Sequence, residues 1–184
     1  ERLKSSELVY CGARRTPLCA LVERVPFRES DCAVAAKLFA TTLDVYLTLG
    51  LIAEDSLDTV TANGKPATVA HAVDRLARLL CCDLTEVTPE ELRHVAEYVA
   101  AEQLRCLTQA ADLVASRLPG ACETVLVSGS GEFLARKVAL SSSRLKAAKL
   151  MSLPDIFGPA VADAACAFAV AKLAAERELP FFGS

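Results

Sequence analysis

Apolar residues recur along this chain at two spacings, and the change of spacing predicts where its elements lie. Short apolar runs at 8–11 and 19–22, separated by a polar stretch that ends at Pro17, predict two strands near the amino end. From 33 to 49 the apolar positions recur every three or four residues. This spacing predicts one amphipathic helix, with Gly50 just past its end as a stop.

The middle of the chain predicts two more helices. Segment 68–82 carries apolar residues on one helical face. Segment 88–119 opens with Thr-Pro-Glu-Glu, in which the threonine can cap, the proline fits the first turn and the second glutamate can reach back to the cap. We expect these helices to form an insertion at about 65–120. The polar stretch 54–66 is rich in turn residues and predicts a mobile surface loop.

The last third of the chain alternates between the two spacings. The run 123–127 is apolar and β-branched and predicts a buried strand, and 132–140 predicts a helix. A second extended piece follows at 147–150, and 159–176 predicts a buried helix. Alternation of this kind is typical of layered α/β proteins. We therefore expect a single α/β domain over 1–184, with helices that cover a mixed sheet.

Composition narrows the class of protein. The 184 residues include 20 basic and 23 acidic side chains, a net charge of -3, and are 53% hydrophobic. The chain can therefore bury a core, and it has no excess of positive charge for nucleic-acid binding. No apolar run reaches the roughly 18 residues of a membrane span. No secretory signal opens the chain and no initiating methionine is present, so we expect a cytoplasmic protein and a piece of a longer polypeptide.

The cysteines and histidines do not suggest a metal site. The eight cysteines include no C-x-x-C pair, and His71 and His94 are the only imidazole side chains. We expect the cysteines to be small buried thiols in a reducing compartment, and we expect no structural metal.

The strand predicted at 123–127 runs into a stretch of small residues before the next helix. That stretch is Ser128, Gly129, Ser130 and Gly131. Such a turn presents free backbone N–H groups at the carboxyl end of a strand, where they can cradle an anion or a nucleotide. Glycine lets a ligand approach the main chain without meeting a Cβ atom. The alternative is a tight turn that needs glycine and binds nothing.

Positive charge is concentrated after this turn, although the whole chain is acidic. No carboxylate lies between Phe133 and Pro154, but five cations do: Arg136, Lys137, Arg144, Lys146 and Lys149. A phosphate or diphosphate group would be attracted there. The alternative is a solvated helix face followed by a basic loop.

A second candidate group lies in the helix predicted at 33–49. Thr41 and Asp44 are three residues apart, which places them side by side on a helix, and Thr42 adds another hydroxyl. These groups could hold a substrate amine or a metal-bound water. Alternatively, Asp44 pairs with a nearby arginine.

Four motifs, in this order and spacing, resemble those of a known family. They are Glu-Leu-Val-Tyr-Cys-Gly-Ala-Arg-Arg-Thr-Pro at 7–17, Ala-Thr-Thr-Leu-Asp-Val-Tyr at 40–46, Thr-Ala-Asn-Gly-Lys-Pro at 61–66 and Ser-Gly-Ser-Gly-Glu-Phe-Leu-Ala at 128–135. With them the chain resembles the hydantoinase/oxoprolinase-like proteins of the tetrahydromethanopterin-linked one-carbon transfer pathway. The resemblance implies the carboxyl-terminal lobe of a two-lobed, actin-like (ribonuclease H-like) ATPase fold.

The resemblance also implies an activity. Members act in methanofuran or methylofuran biosynthesis, where an aminomethylfuran-methyl diphosphate is joined to the phenolic oxygen of γ-glutamyltyramine or a tyrosine-type equivalent and diphosphate is released. The alternatives are an ATP-dependent kinase or ATPase of the sugar-kinase/actin-like superfamily and a non-catalytic subunit of a cofactor-biosynthesis complex. Mg²⁺ with a diphosphate substrate or with ATP is the expected cofactor.

The implied site has two parts. The expected phosphate- or nucleotide-binding residues are Ser128, Gly129, Ser130, Gly131, Glu132, Arg136 and Lys137. The expected catalytic residues are Thr41, Thr42 and Asp44, with Asp44 accepting the proton of the phenol.

The chain departs from the family in two places. The amino-terminal lobe with its phosphate loops is not in this sequence, so we expect that lobe, a partner subunit or a homo-oligomer to complete the site around a phosphorylated small molecule. Asn63 stands where an acidic residue is expected before Gly64, which weakens a metal role for that loop.

Overall fold

The computed structural model describes residues 1–5 and 7–176, and the chain separates into two compact units, Glu1–Val114 and Ala115–Ser184. The α-helices are α1 Thr42–Thr48, α2 Val69–Leu79, α3 Pro89–Ala115, α4 Glu132–Ser141, α5 Leu153–Phe157, α6 Pro159–Asp163 and α7 Ala165–Glu176. The strands are β1 Arg24–Phe27, β2 Ser30–Ala33, β3 Thr124–Val127 and β4 Lys149–Ser152. These elements make an α/β chain. Within the described ranges, no helix has both the length and the apolar character needed to cross a membrane.

The strands form two small sheets, and the prediction of one mixed sheet is wrong for the described residues. β1 and β2 pair antiparallel across a two-residue turn in which Arg28 has a φ of 55°, a conformation typical of tight hairpins. β3 and β4 pair parallel, with Val127 opposite Ser152. The antiparallel and parallel pairs share no strand. An actin-like ATPase lobe stays a prediction.

The two strands predicted near the amino end are not formed. Residues 8–11 contain no strand, and Leu18–Ala20 is a single 3-10 turn. The amide N–H of Val22 donates to the Leu18 carbonyl oxygen at 3.0 Å, and both side chains are buried. Residues four apart face the same way in a helical turn, so this turn buries both, and apolar runs this short fit either structure.

The helix predicted at 33–49 begins later than expected. The backbone makes tight turns between Ala35 and Phe39, and α1 then starts after Thr41, which forms a capping box with Asp44. The helix stops at Gly50 as predicted, where φ is 69°.

The two central helices confirm the sequence prediction. α2 and α3 fall in the segments 68–82 and 88–119 that the sequence predicts to be helical, while their being an insertion at about 65–120 stays a prediction. At the start of α3, the Glu91 amide donates to Thr88 Oγ1 at 3.2 Å and the Thr88 amide donates to the Glu91 carboxylate at 2.8 Å. This is the predicted reciprocal cap, with Pro89 in the first turn.

α1 lies at the centre of the first unit. Every residue from 42 to 47 is buried. Leu43 and Leu47 form one apolar cluster with Ala67 and Ala72. A short helix that is enclosed on all sides can only carry polar groups that find partners inside the protein, because each unpaired one would cost stability.

The last predicted helix differs from the expectation. It is divided at Ala164 into α6 and α7, and α7 buries none of its residues among those described. Val170 is 67% exposed and Leu173 is 49% exposed. The predicted buried helix is therefore wrong for this segment, because an apolar composition does not by itself provide a surface to pack against.

The expected burial of the cysteines is also wrong. All eight thiols are free, none is fully buried, and three are exposed: Cys81, Cys106 and Cys166.

Candidate functional site

The carboxyl ends of two parallel strands meet at one edge of the second unit. β3 leads through the turn at 128–131 into α4, and β4 leads directly into α5. Ser152 caps α5, accepting a hydrogen bond from the Asp155 amide at 3.4 Å. This strand-helix-strand arrangement is the local geometry in which α/β proteins bind ligands.

The turn at 128–131 is open. Gly129 has a φ of 83°, and a Cβ atom placed there would meet no atom within 4 Å. The amide N–H groups of Gly129, Ser130 and Gly131 donate to no acceptor in the part of the chain that the structure describes. Ser130 is exposed, and Gly129 and Gly131 are half-buried. Three unpaired backbone donors before a helix suit an anion.

The two predicted cations of α4, Arg136 and Lys137, differ in their ion pairs. Arg136 Nε donates to Glu132 Oε1 at 2.7 Å, and Arg136 Nη2 lies 3.4 Å from Asp155 Oδ2. These two carboxylates offset the charge of Arg136. Lys137 is exposed and forms no ion pair among the described residues. Of the two, only Lys137 therefore carries a charge that no carboxylate of the described chain offsets.

Two other predicted residues have structural contacts. Ser128 Oγ donates to the Ala162 carbonyl oxygen at 3.0 Å, which fastens the turn to the end of α6. The second oxygen of Glu132, Oε2, is buried without a hydrogen-bond partner in the described chain.

One cavity of this unit lies away from the turn. About 430 Å³ of space opens near the amino end of β3, opposite the glycine turn. It is lined by Ala115, Leu118, Gly120, Ala121, Cys122, Ser143 and Arg144.

Asp44 belongs to a buried polar cluster in the first unit. Arg75 Nε donates to Asp44 Oδ1 at 2.7 Å, and the Thr41 amide donates to Asp44 Oδ2 at 2.8 Å. Arg75 Nη1 also donates to Asn63 Oδ1 at 3.1 Å. The alternative that Asp44 pairs with an arginine is confirmed, and that arginine is Arg75.

The burial of this cluster has electrostatic consequences. The side chains of Asp44 and Arg75 are 1% and 0% exposed. Burial raises the pKa of the Asp44 carboxyl, while the Thr41 amide and the Arg75 guanidinium act in the opposite direction. Both carboxylate oxygens are hydrogen-bonded, so Asp44 has the contacts of a residue that holds α1 and α2 together.

A second buried network connects α1 with α3. Tyr46 Oη donates to Gln103 Oε1 at 2.6 Å, and Gln103 Nε2 donates to the Gly12 carbonyl oxygen at 2.9 Å. Thr42 Oγ1 donates to the same carbonyl oxygen at 2.8 Å. Burial raises the pKa of the Tyr46 phenol well above its usual range. Thr42 therefore holds the amino-terminal segment against α1.

The structure groups the predicted residues in two places. Thr41, Thr42 and Asp44 lie at the start of α1 in the first unit, whereas the turn at 128–131 and the residues of α4 lie in the second. The catalytic roles of the first three stay predictions.

Sequence reasoning missed Arg75 and Gln103. Each lies on the apolar face of its helix: Arg75 is three residues after buried Ala72, and Gln103 is four after buried Val99. A polar residue on an apolar stripe is a signal of a buried hydrogen-bond network, and it was present in the sequence.

No metal centre is evident in the described part of the chain, where no three His, Cys, Asp or Glu side chains come together in a way that could hold an ion. The fold and the turn define an α/β protein with an open strand-turn-helix segment. No protein-family model matches the chain.

Two curated proteins are similar to it, and both are named (4-{4-[2-(gamma-L-glutamylamino)ethyl]phenoxymethyl}furan-2-yl)methanamine synthase. The protein from Methanococcus vannielii is 28% identical over 178 residues, which cover 94% of this chain and 77% of that protein. The protein from Methanocaldococcus jannaschii is 30% identical over 173 residues, which cover 94% of this chain and 50% of that protein. The chain thus spans about three quarters of one relative and half of the other. Similarity to two synthases indicates an enzyme. The hydantoinase/oxoprolinase-like assignment stays a prediction.

Proposed function

We propose that this chain carries the diphosphate-binding part of a transferase in methanofuran or methylofuran biosynthesis. The enzyme joins an aminomethylfuran-methyl diphosphate to the phenolic oxygen of a tyramine- or tyrosine-type phenol. The bond from the furfuryl carbon to the diphosphate oxygen breaks, and a bond from that carbon to the phenolic oxygen forms. Diphosphate leaves, and a base takes the phenol proton. The names of the two relatives support this reaction, because each describes a synthase of a phenoxymethyl furan amine.

The unpaired amides of Gly129, Ser130 and Gly131 are the observation that carries the proposal. As the carbon-oxygen bond breaks, negative charge grows on the diphosphate, and the furan oxygen stabilises the positive charge on the carbon. Fixed backbone donors aimed at growing charge lower the barrier, since they need no reorganisation during the reaction. Lys137 adds a positive charge on the following helix.

The predicted roles of Asp44, of Mg²⁺ and of a facing lobe or subunit depend on parts of the enzyme other than this turn. Asp44 is the candidate proton acceptor only in a conformation that frees its carboxylate from Arg75 and Thr41, since both oxygens are hydrogen-bonded here. The described residues do not form a cage for Mg²⁺, so a Mg²⁺ ion would be held mainly by the oxygens of the diphosphate. We propose that an amino-terminal lobe, a partner subunit or a second copy supplies the facing wall of the site.

The test is a reconstituted reaction. The natural gene product is incubated with the furan diphosphate and γ-glutamyltyramine, without ATP, and the aryl ether and free diphosphate are both quantified. We expect one diphosphate for each ether formed. Ether formation that requires ATP, or phosphoryl transfer from ATP to a substrate without ether, would overturn the proposal.

A pair of variants at one position tests the turn. Ser130→Pro removes one unpaired N–H group, and Ser130→Ala removes only the hydroxyl. We expect Ser130→Pro to lower kcat by about 100-fold or more, the usual loss when one such donor is removed, while Ser130→Ala stays close to wild type. A circular dichroism melt of both variants confirms folding. Equal activity of two folded variants would contradict a role for the amide.

A further inference from the structure

Asn63 and Gly64 form an exposed turn in the loop that leads to α2. Asn63 is the only asparagine among the 184 residues. Gly64 has a φ of 72°, and the position where a Cβ atom would lie has no neighbour within 4 Å. In an Asn-Gly pair the glycine nitrogen can attack the carboxamide carbon of the asparagine, because no side chain on the second residue obstructs the approach.

The contacts around Asn63 favour this attack. Its side-chain oxygen Oδ1 accepts hydrogen bonds from Arg75 Nη1 at 3.1 Å and from the Lys65 amide at 3.2 Å. Attack on the carboxamide carbon places negative charge on that oxygen, where the two donors already stand, and one donor is cationic. The Gly64 amide donates to the Thr61 carbonyl oxygen at 3.3 Å, longer than a typical N–H···O bond, so the nitrogen is only weakly held.

We propose that Asn63 is a site of spontaneous deamidation and that Arg75 retains its acidic product. The Gly64 nitrogen forms a bond to the Asn63 carboxamide carbon, and the side-chain nitrogen leaves as ammonia with the proton from the Gly64 amide. Water then opens the resulting succinimide at one of its two carbonyls. Opening at one gives aspartate at position 63, and opening at the other gives isoaspartate. Water is the only co-reactant, and nothing is oxidised or reduced.

Arg75 stabilises the aspartate formed at position 63 through its positive charge. Its guanidinium is fully enclosed, it pairs with a single carboxylate, Asp44, and its Nη2 has no hydrogen-bond partner in the described chain. A carboxylate at position 63 brings a second negative charge to this cation, and charge-assisted hydrogen bonds are stronger than neutral ones. Isoaspartate adds a carbon to the main chain and moves the carboxylate away from Arg75. The fold therefore favours aspartate, whereas an unstructured chain yields mainly isoaspartate.

The first experiment compares the folded chain with the same chain in denaturing urea at neutral pH. Mass spectrometry of the peptide that contains residue 63 detects a gain of about 1 Da, and chromatography separates aspartate from isoaspartate. We expect deamidation in both samples, with a severalfold larger ratio of aspartate to isoaspartate in the folded one. An equal ratio in both, or a folded chain that keeps its asparagine while the denatured chain loses it, would overturn the proposal.

Variants test the two parts separately. Gly64→Ala is expected to slow deamidation severalfold, whereas Gly50→Ala, which has a similar φ of 69° and an equally open site, leaves the rate unchanged. Asn63→Asp is expected to unfold at a higher urea concentration than Asn63→Ala, because only the carboxylate pairs with Arg75. The reverse order would contradict retention by Arg75. None of these measurements uses a substrate, so their outcome is independent of the proposed transferase activity.

Discussion

Arg75 and Asp44 form an ion pair that is enclosed in the first unit, with Arg75 Nε 2.7 Å from Asp44 Oδ1. Asp44 is in the first turn of α1 and Arg75 is in the middle of α2, so the pair joins the two helices through residues that are 31 apart in the chain. Neither partner reaches solvent. Each charge therefore depends on the other for its stability inside the protein.

Removing one partner of this pair should be costly. Arg75→Met leaves the Asp44 carboxylate buried without its cation, and we expect a loss of about 3–5 kcal/mol in the free energy of unfolding. Urea unfolding followed by circular dichroism measures it. Arg93→Ala is the matched control, because Arg93 pairs with Glu97 on an exposed face of α3, and its loss should be below about 1 kcal/mol. Equal losses would show that the buried pair does not stabilise the unit.

The Tyr46–Gln103 contact makes a second prediction. Gln103→Leu removes the buried 2.6 Å hydrogen bond between the Tyr46 hydroxyl and Gln103, and we expect a loss of about 1–3 kcal/mol in the free energy of unfolding. Gln109→Leu, an exposed glutamine on the same helix, should change stability by less than about 0.5 kcal/mol. Tyr46→Phe should lower the free energy of unfolding less in the Gln103→Leu variant than in the wild type, because Gln103→Leu has already removed the hydrogen bond between the two side chains. Simple additivity would argue against a direct interaction.

Stability should fall at alkaline pH in a way that depends on Tyr46. Burial raises the pKa of its phenol, so the folded chain keeps a proton that the unfolded chain releases near pH 10. Since the unfolded state then binds fewer protons, the free energy of unfolding decreases as the pH rises through about 10. Tyr46→Phe should flatten this decrease in melts from about pH 8 to about pH 11, whereas Tyr10→Phe, at an 87% exposed position, should not. Identical pH profiles for all three proteins would refute the prediction.

The glycine turn can be tested through its backbone. Gly129→Ala places a side chain where φ is 83°, and we expect a loss of about 1–2 kcal/mol in the free energy of unfolding. No atom lies within 4 Å of the new Cβ, so the cost comes from the backbone and not from a clash. Gly120→Ala, in the same unit at an equally open site without a positive φ, should be neutral or slightly stabilising. A neutral Gly129→Ala would mean that the turn adopts another conformation.

Local sequence signals predicted some elements closely and others poorly. Thr88, Pro89 and Glu91 specify the start of α3 through contacts within four residues, so the cap could be predicted without knowing the fold. The glycine turn after β3 could also be predicted without knowing the fold, because its small residues are adjacent in the chain. The runs at 8–11 and 19–22 were assigned to strands because apolar character alone does not separate a strand from a helical turn. In the folded unit one helical turn buries both Leu18 and Val22, so packing against other parts of the unit decided the structure of this segment.

The candidate site likewise contains features that the sequence predicted and features that it could not predict. The small residues at 128–131 predicted an open strand-to-helix turn, and the unpaired amides there are consistent with it. The spacing of Glu132 and Arg136 on one helix is that of a local ion pair, but the sequence could not show that Arg136 also lies near Asp155, which reaches it only across the parallel strands. Nor could it identify which arginine pairs with Asp44.

The sequence by itself determined the cap of α3, the stop of α1 at Gly50, the order of the elements from α2 to β4 and the glycine turn, since each depends on the chemistry of residues close together in the chain. Only the tertiary structure decided that the strands form two separate pairs, that Asp44 is enclosed against Arg75 and that Gln103 joins Tyr46 to Gly12. These outcomes depend on which distant surfaces exclude water together. A polar side chain on the apolar face of a helix becomes buried, so it needs a hydrogen-bond partner inside the protein.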